Sequence, residues 1–225
     1  PPPPPPPPPY FQAEDGIRSD RLSRGLGDVY KRQDVAHADT SERNRVAALL
    51  FELFLVELFQ LRLVQTDPNF ANYQYNPETG QVVLLDFGAS RRFKAALVRG
   101  YRALLAGAIA GDRPGMINAA ESIGYQFGPD NSSYQQTLLE LADIALVPLT
   151  VNKPYDFGRS SIPQQLMQRL EPLRNNSTFW QVPPFDVAYI HRQIGGLCML
   201  ATRLDAEINV HELLLPWLDE YETAL

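Results

Sequence analysis

The chain has 225 residues, a formal net charge of −6 at pH 7, 44% hydrophobic residues and a single cysteine. That length holds one domain, or one lobe with appendages, and the apolar content suffices for a packed core. The lone Cys198 excludes an internal disulfide framework, the mild acidity without a basic stripe argues against nucleic-acid partners, and no apolar run reaches the roughly 20 residues of a transmembrane segment.

Pro1 to Pro9 is homopolymeric and fits only polyproline II or disorder. Tyr10 to Gln33 has no sustained periodicity and resembles translated sequencing-adapter sequence. Residues 1–33 are therefore read as a disordered or artefactual tail and set aside. A native proline-rich arm that binds recognition domains is the alternative. A transit peptide is disfavoured by Glu14, Asp15 and Asp20.

Residues 34–225 are read as the folded part. Asp39 with Glu42 three positions on suggests a variant capping box. The helix it opens is predicted to run to about Val64 and is apolar nearly all round, which implies burial at the centre of a helical lobe. Glu52 and Glu57 interrupt it and are expected at its rim or paired with an arginine.

The most informative stretch is Gln65 to Ser90, QTDPNFANYQYNPETGQVVLLDFGAS. Asp67 and Asn72 form D-x-x-x-x-N. Tyr73 to Tyr75 and Gln81 to Leu85 read as two strands joined by a turn over residues 76–80, and Asp86-Phe87-Gly88 follows. Protein kinases place an aspartate and an asparagine at this spacing in the catalytic loop and an Asp-Phe-Gly after the next strand. Phosphoryl transfer needs a carboxylate beside the nucleophile and oxygen ligands for Mg²⁺, a hard ion. Asp67 suits the first task, and Asn72 and Asp86 suit the second. The plainer alternative is an ordinary hairpin with one aspartate at a helix start and another at a strand end.

Ser90-Arg91-Arg92-Phe93 stands where ordinary kinases begin an activation loop. Here helical pattern resumes at Ala95 and lasts to about Ala110, and no A-P-E follows, which lowers the expectation of a protein substrate. Arg91 and Arg92 are expected as a solvated charge pair. Gly111 to Gly115 is a turn, and helices are predicted over Met116–Ile123, Tyr134–Val147 and Ile162–Leu170. A second Asp156-Phe157-Gly158 lies in the intervening loop without an apolar strand before it, and is read as structural. After Pro183-Pro184 a helix is predicted from Phe185 to Leu204. Its Gly195-Gly196 costs helical propensity and suggests close approach of another backbone. His191 is read as a structural hydrogen-bonding residue and Cys198 as a buried thiol. His37, His191 and His211 lack metal-ligand spacing. The last helix, Val210 to Glu220, must kink or restart at Pro216. Glycosylation triplets at Asn131 and Asn176 are discounted.

Gln65-Thr66-Asp67-Pro68-Asn69 with Asn72, then Leu84 to Ala89, resembles the UbiB/ADCK family of atypical kinases. Pro154 to Gly158, and Tyr189-Ile190-His191-Arg192 with Gly195-Gly196, are similar to the same family. The resemblance covers about Asp34 to the C-terminus. It implies a mainly α fold with a small β-hairpin, the C-terminal lobe of a protein-kinase-like fold. The N-terminal lobe, the family's K-x-G-Q signature and its alanine-rich loop are not found before Asp34, so a truncated chain is expected.

The resemblance further implies ATP or ADP and Mg²⁺ as cofactors, with Asp67 catalytic and Asn72 and Asp86 binding metal and nucleotide. It implies support of ubiquinone, an isoprenoid quinone, with quinone-biosynthesis proteins or lipid as partners. The implied location is cytoplasmic and membrane-peripheral, on the matrix side of a mitochondrion if the source is eukaryotic. Whether this chain is itself an enzyme stays open, because a phosphate-pairing lysine is missing from it. The alternative is a catalytically inactive helical module for binding or regulation. A small-molecule phosphotransferase of the aminoglycoside or choline type also uses D-x-x-x-x-N, but Phe87-Gly88 after Asp86 argues against it.

Overall fold

A computed structural model describes residue 35 and residues 38–76, 79–127, 132–171 and 184–218. The expectations for residues 1–33, His37 and the triplets at Asn131 and Asn176 lie outside the described residues.

Helix α1, Thr40–Leu55, starts where the sequence signals it: the Asp39 carboxylate accepts from the Glu42 N–H at 2.9 Å. Only this half of the capping box forms. The Glu42 side chain turns instead to Arg45 and to the Tyr75 hydroxyl. The helix buries Val46, Ala47, Leu50, Phe51, Phe54 and Leu55, which packs it against elements on several sides.

The predicted run to Val64 is not one helix. At Val56 the backbone widens into a π-helical turn over Val56–Leu61, and a left-handed Arg62 (φ 54°) ends it. A strand, β1, Leu63–Gln65, then takes the chain to the catalytic-type motif. π-turns inside helices are uncommon and gather at functional sites, and this one empties directly into Gln65.

A 3₁₀ turn over Phe70–Asn72 leads into the predicted hairpin: β2, Tyr73–Asn76, pairs antiparallel with β3, Gln81–Leu84, in the register Tyr73↔Leu84 and Asn76↔Gln81. Strand β4, Ser90–Arg92, returns antiparallel to β1, with Leu63 opposite Arg92 and Gln65 opposite Ser90.

The remainder is helical. Helices α2, Ala95–Ala110, and α3, Arg113–Ser122, form a packed pair, joined by a left-handed Gly111. Then come α4, Ser132–Ala145, the short α5, Val147–Thr150, and α6, Ile162–Leu170. Strand β5, Tyr155–Asp156, pairs antiparallel with β6, Glu207–Ile208, which follows α7, Phe185–Arg203. The chain closes on α8, Val210–Leu214, and a 3₁₀ turn over Leu215–Trp217, so Pro216 breaks the predicted final helix.

The core lies between α1, α7 and α8. Leu58, Phe157, Ile190 and Leu214 are its largest fully buried apolar side chains. Each such side chain is worth roughly 1.5–3 kcal/mol relative to an exposed one. The second Asp-Phe-Gly belongs to this core. Phe157 packs 5.7 Å from the Phe51 ring, its N–H donates to Ala206, and the Asp156 carboxylate accepts from the Arg159 N–H. Its reading as a structural element matches these contacts.

Candidate active site

Three backbone junctions and one side-chain bond draw the two halves of the motif together. The β1–β4 pairing is extended by Thr66, whose N–H and hydroxyl both donate to the Ala89 carbonyl, at 3.2 and 2.7 Å. On the hairpin side the Leu85 N–H donates to the Asn72 carbonyl at 2.9 Å. The loop carrying Asp67 and the segment carrying Asp86 are thus tied on both flanks.

Gln65, 3% exposed, bridges them from inside. Its Nε2 donates to the Asp86 carbonyl, and its Oε1 accepts from the Asp67 N–H at 3.3 Å. The Gln65 N–H in turn donates to the Glu57 carboxylate at 3.2 Å. One amide side chain therefore sets the spacing between the two aspartates.

The three side chains singled out from the sequence are differently placed. Asn72 is buried and donates from Nδ2 to both the Asp67 carboxylate (3.3 Å) and the Asp67 carbonyl (3.4 Å). Because its nitrogen is engaged by Asp67, its Oδ1 is the atom left for a cation. Asp67 is half-buried, and its Oδ1 accepts from Arg192 Nη2 at 3.1 Å. Asp86 is exposed, with Oδ1 held by the Gly88 N–H at 2.7 Å.

The Asn72 amide oxygen and the Asp86 carboxylate are hard oxygen donors of the kind Mg²⁺ takes, an ion that completes its shell from phosphate and water. Among the described residues no three His, Cys, Asp or Glu side chains gather into a metal cage.

Sequence reasoning misplaced or missed several residues around this centre. Glu57 is neither at a rim nor paired with an arginine. It is 7% exposed in the π-turn, and burial pushes its carboxyl up to about 7 against the pull of the Gln65 N–H. An apolar helix pattern gives no sign of a π-turn, so the face on which Glu57 falls could not be read. Glu52 is half-buried, and burial raises its carboxyl too.

Arg91 is not a solvated charge. Its guanidinium pairs with Asp186 at 2.8 Å and lies 5.0 and 4.8 Å from the Phe185 and Tyr189 ring centres. Arg192, whose contact with Asp67 spans 125 positions of sequence, was passed over as part of a His-Arg pair. The role of Gln65 was legible only as one letter of a motif.

The expectations for Gly196 and Cys198 hold, whereas His191, expected as a hydrogen-bonding residue, makes a ring contact instead. A Cβ on Gly196 would lie 1.9 Å from the Pro68 Cβ, so the glycine marks the close approach of α7 to the catalytic-type loop. Cys198 is partly buried against the core, and burial pushes its thiol up to about 11, the state of an unreactive cysteine. The histidine with a clear structural bond is His211, whose Nδ1 lies 2.6 Å from the Leu149 carbonyl oxygen. His191 sets its ring 6.2 Å from that of Tyr101. No helix among the described residues is long and apolar enough to cross a membrane.

A helical lobe with a D-x-x-x-x-N loop, a short hairpin and an Asp-Phe-Gly in this arrangement defines a protein-kinase-like C-terminal lobe. The structure described as "The complex structure of Rv3197-erythromycin from Mycobacterium tuberculosis" shares the fold. It superposes with a TM-score of 0.60 at 18% identity, covering 87% of this chain and 49% of that one. Residues 27–120 match the family model described as ABC1 atypical kinase-like domain.

Among curated proteins, "Atypical kinase COQ8B, mitochondrial" of Rattus norvegicus is 31% identical over 76% of this chain and 32% of its own length. "Atypical kinase coq-8, mitochondrial" of Caenorhabditis elegans is 32% identical over 74% of this chain and 22% of its own. "Atypical kinase COQ8, mitochondrial" of Saccharomyces cerevisiae is 29% identical over 78% and 35%. The chain belongs to the ABC1 atypical kinase-like family, the UbiB/ADCK group. It spans about a third or less of the length of these curated relatives.

Proposed function

We propose that residues 34–225 are the Mg²⁺-nucleotide-binding lobe of an atypical kinase or ATPase. In this reading Asp67 orients the attacking hydroxyl or water and accepts its proton. Asn72 Oδ1 and the Asp86 carboxylate hold Mg²⁺ against the phosphates of ATP or ADP. The bound ion neutralises charge on the phosphate oxygens. The role of the whole protein is support of ubiquinone biosynthesis, in a mitochondrion or at the cytoplasmic face of a bacterial membrane, peripherally attached. Quinone-biosynthesis proteins or lipid are its partners. Support for this wider role is the family resemblance together with relatives named as mitochondrial atypical kinases.

The observation that carries the site reading is the Gln65 bridge. Its side chain bonds the Asp67 N–H and the Asp86 carbonyl at once, a link between the two motifs that supports the reading. The test is a pair of measurements on the protein that bears this chain. Mg²⁺-ADP should raise its melting temperature, since a ligand at 100 times its Kd stabilises the native state by about 2.7 kcal/mol. Asp86→Asn should remove both that rise and Mg²⁺-dependent ATP hydrolysis. Hydrolysis surviving in Asp86→Asn would sink the assignment. A wild-type protein indifferent to nucleotide would favour a non-catalytic helical module instead.

A further inference from the structure

We propose that Arg192 is a positioning residue for Asp67, and that α7 is the brace that delivers it. The inference rests on the reading of Asp67 as the group that meets the nucleophile. Each oxygen of that carboxylate has a protein donor: Oδ1 takes Arg192 Nη2 at 3.1 Å, and Oδ2 takes Asn72 Nδ2 at 3.3 Å. With both oxygens engaged from different elements, the carboxylate is held in one rotamer.

An exposed arginine–carboxylate pair ordinarily contributes little, about 0–1 kcal/mol, because two long side chains must be ordered in water. Arg192 differs because the helix that carries it is fixed at three other points. One turn further along, Gly196 meets Pro68, the residue that follows Asp67, at a distance no Cβ would permit. Next to Arg192, the buried Gln193 donates from Nε2 to the Tyr73 hydroxyl at 3.2 Å, which joins α7 to the first strand of the hairpin. At the start of the helix Asp186 takes Arg91 of β4, the strand that lies beside β1. The helix is thereby registered against the loop, the hairpin and the strand after Asp-Phe-Gly. The guanidinium arrives at Asp67 with its backbone already placed, which is what positioning requires.

If Arg192 were lost, Asn72 would be the remaining side-chain partner of the Asp67 carboxylate, which could then turn out of line, while the second bond of Asn72, to the Asp67 carbonyl, keeps Asn72 itself in place.

The test compares Arg192→Ala, Arg192→Lys and Asp67→Asn in the protein that bears this chain, with ATP hydrolysis and Mg²⁺-ADP binding measured side by side. The expected result for Arg192→Ala is a fall in kcat of about 10- to 100-fold, the cost of a small misplacement of a reacting group. KM and nucleotide affinity should stay within about threefold. Arg192→Lys, which keeps the charge on a single point donor, should recover part of kcat. Melting temperatures of both variants monitor folding, and Arg192→Lys carries the test if Arg192→Ala does not fold.

Unchanged kcat in both arginine variants beside an inactive Asp67→Asn would overturn the role of Arg192 and leave the site reading standing. A large loss of nucleotide affinity with kcat preserved would also overturn it, since Arg192 would then be a phosphate ligand. Full activity in Asp67→Asn would bring down the reading on which this inference rests.

Discussion

Replacing Glu57 by glutamine should stabilise the protein at alkaline pH and leave it nearly unchanged in mild acid. Glu57 sits in the π-turn, 7% exposed, with the Gln65 N–H donating to it at 3.2 Å. Burial raises its carboxyl from an ordinary 4.5 to about 7, because a charge there loses its water and gains one backbone hydrogen bond in exchange. Folded protein therefore binds this proton more tightly than unfolded protein. The stability it allows is complete below about pH 4.5, falls as pH rises, and is lost once pH passes about 7.

A shift of that size corresponds to about 3 kcal/mol, at about 1.4 kcal/mol per unit. Glutamine keeps an oxygen for the Gln65 N–H and cannot ionise. The difference in unfolding free energy between Glu57→Gln and wild type should thus grow by about 2.5 kcal/mol from pH 5 to pH 8. For a chain of this size that is a gap of ~5–10 °C in Tm opening over the same range. Denaturant melts at constant ionic strength across pH 5–9 measure it, and other titrating groups cancel in the comparison. Two parallel stability curves would refute the reasoning, as they would mean that Glu57 reaches water in the native state.

The adjacent glycines of α7 should behave oppositely. Gly196→Ala forces a methyl against Pro68 and should cost about 1–3 kcal/mol by overpacking. Gly195→Ala, with no atom within 4 Å of the added Cβ, should gain up to about 1 kcal/mol of helical propensity. Urea melts of the two variants decide this, and equal effects would deny the close approach. Gln65→Ala should cost about 1–3 kcal/mol by leaving the Asp67 N–H and Asp86 carbonyl without their shared partner. It should also weaken Mg²⁺-ADP binding by calorimetry, whereas a variant that binds normally would show that the two aspartates hold their spacing without the bridge.

What could be read from the sequence was local. Ala95–Ala110 and Ile162–Leu170 appear at their predicted bounds because each is a periodic run ended by a breaker, Gly111 in the first case. The hairpin was legible because two short strand-forming runs flank a turn. The aspartates and Asn72 were legible because they sit at fixed spacing. What could not be read depends on long-range closure. Arg192 reaches Asp67, and Arg91 reaches Asp186, across 125 and 95 positions, and neither arginine stands out in its own window. The π-turn was also hidden, since one extra residue per turn leaves an apolar run looking apolar while it rotates Glu57 onto the side of Gln65.

The two Asp-Phe-Gly tripeptides show why local identity is not enough. Phe87 is 60% exposed, and Phe157 is 2% exposed in the core. The tripeptides are the same, and the difference lies in what precedes them. Asp86 follows strand β3, whose end is pinned when Leu85 donates to the Asn72 carbonyl, and its side chain is exposed. Asp156 instead closes the two-residue strand β5, and the Phe157 N–H is taken by Ala206, which turns the ring inward onto Phe51. A carboxylate at a strand end becomes a candidate ligand only where the neighbouring strand brings a second oxygen donor to meet it. Here Asn72 is the last residue before β2, so its position follows the same hairpin register that places Asp86.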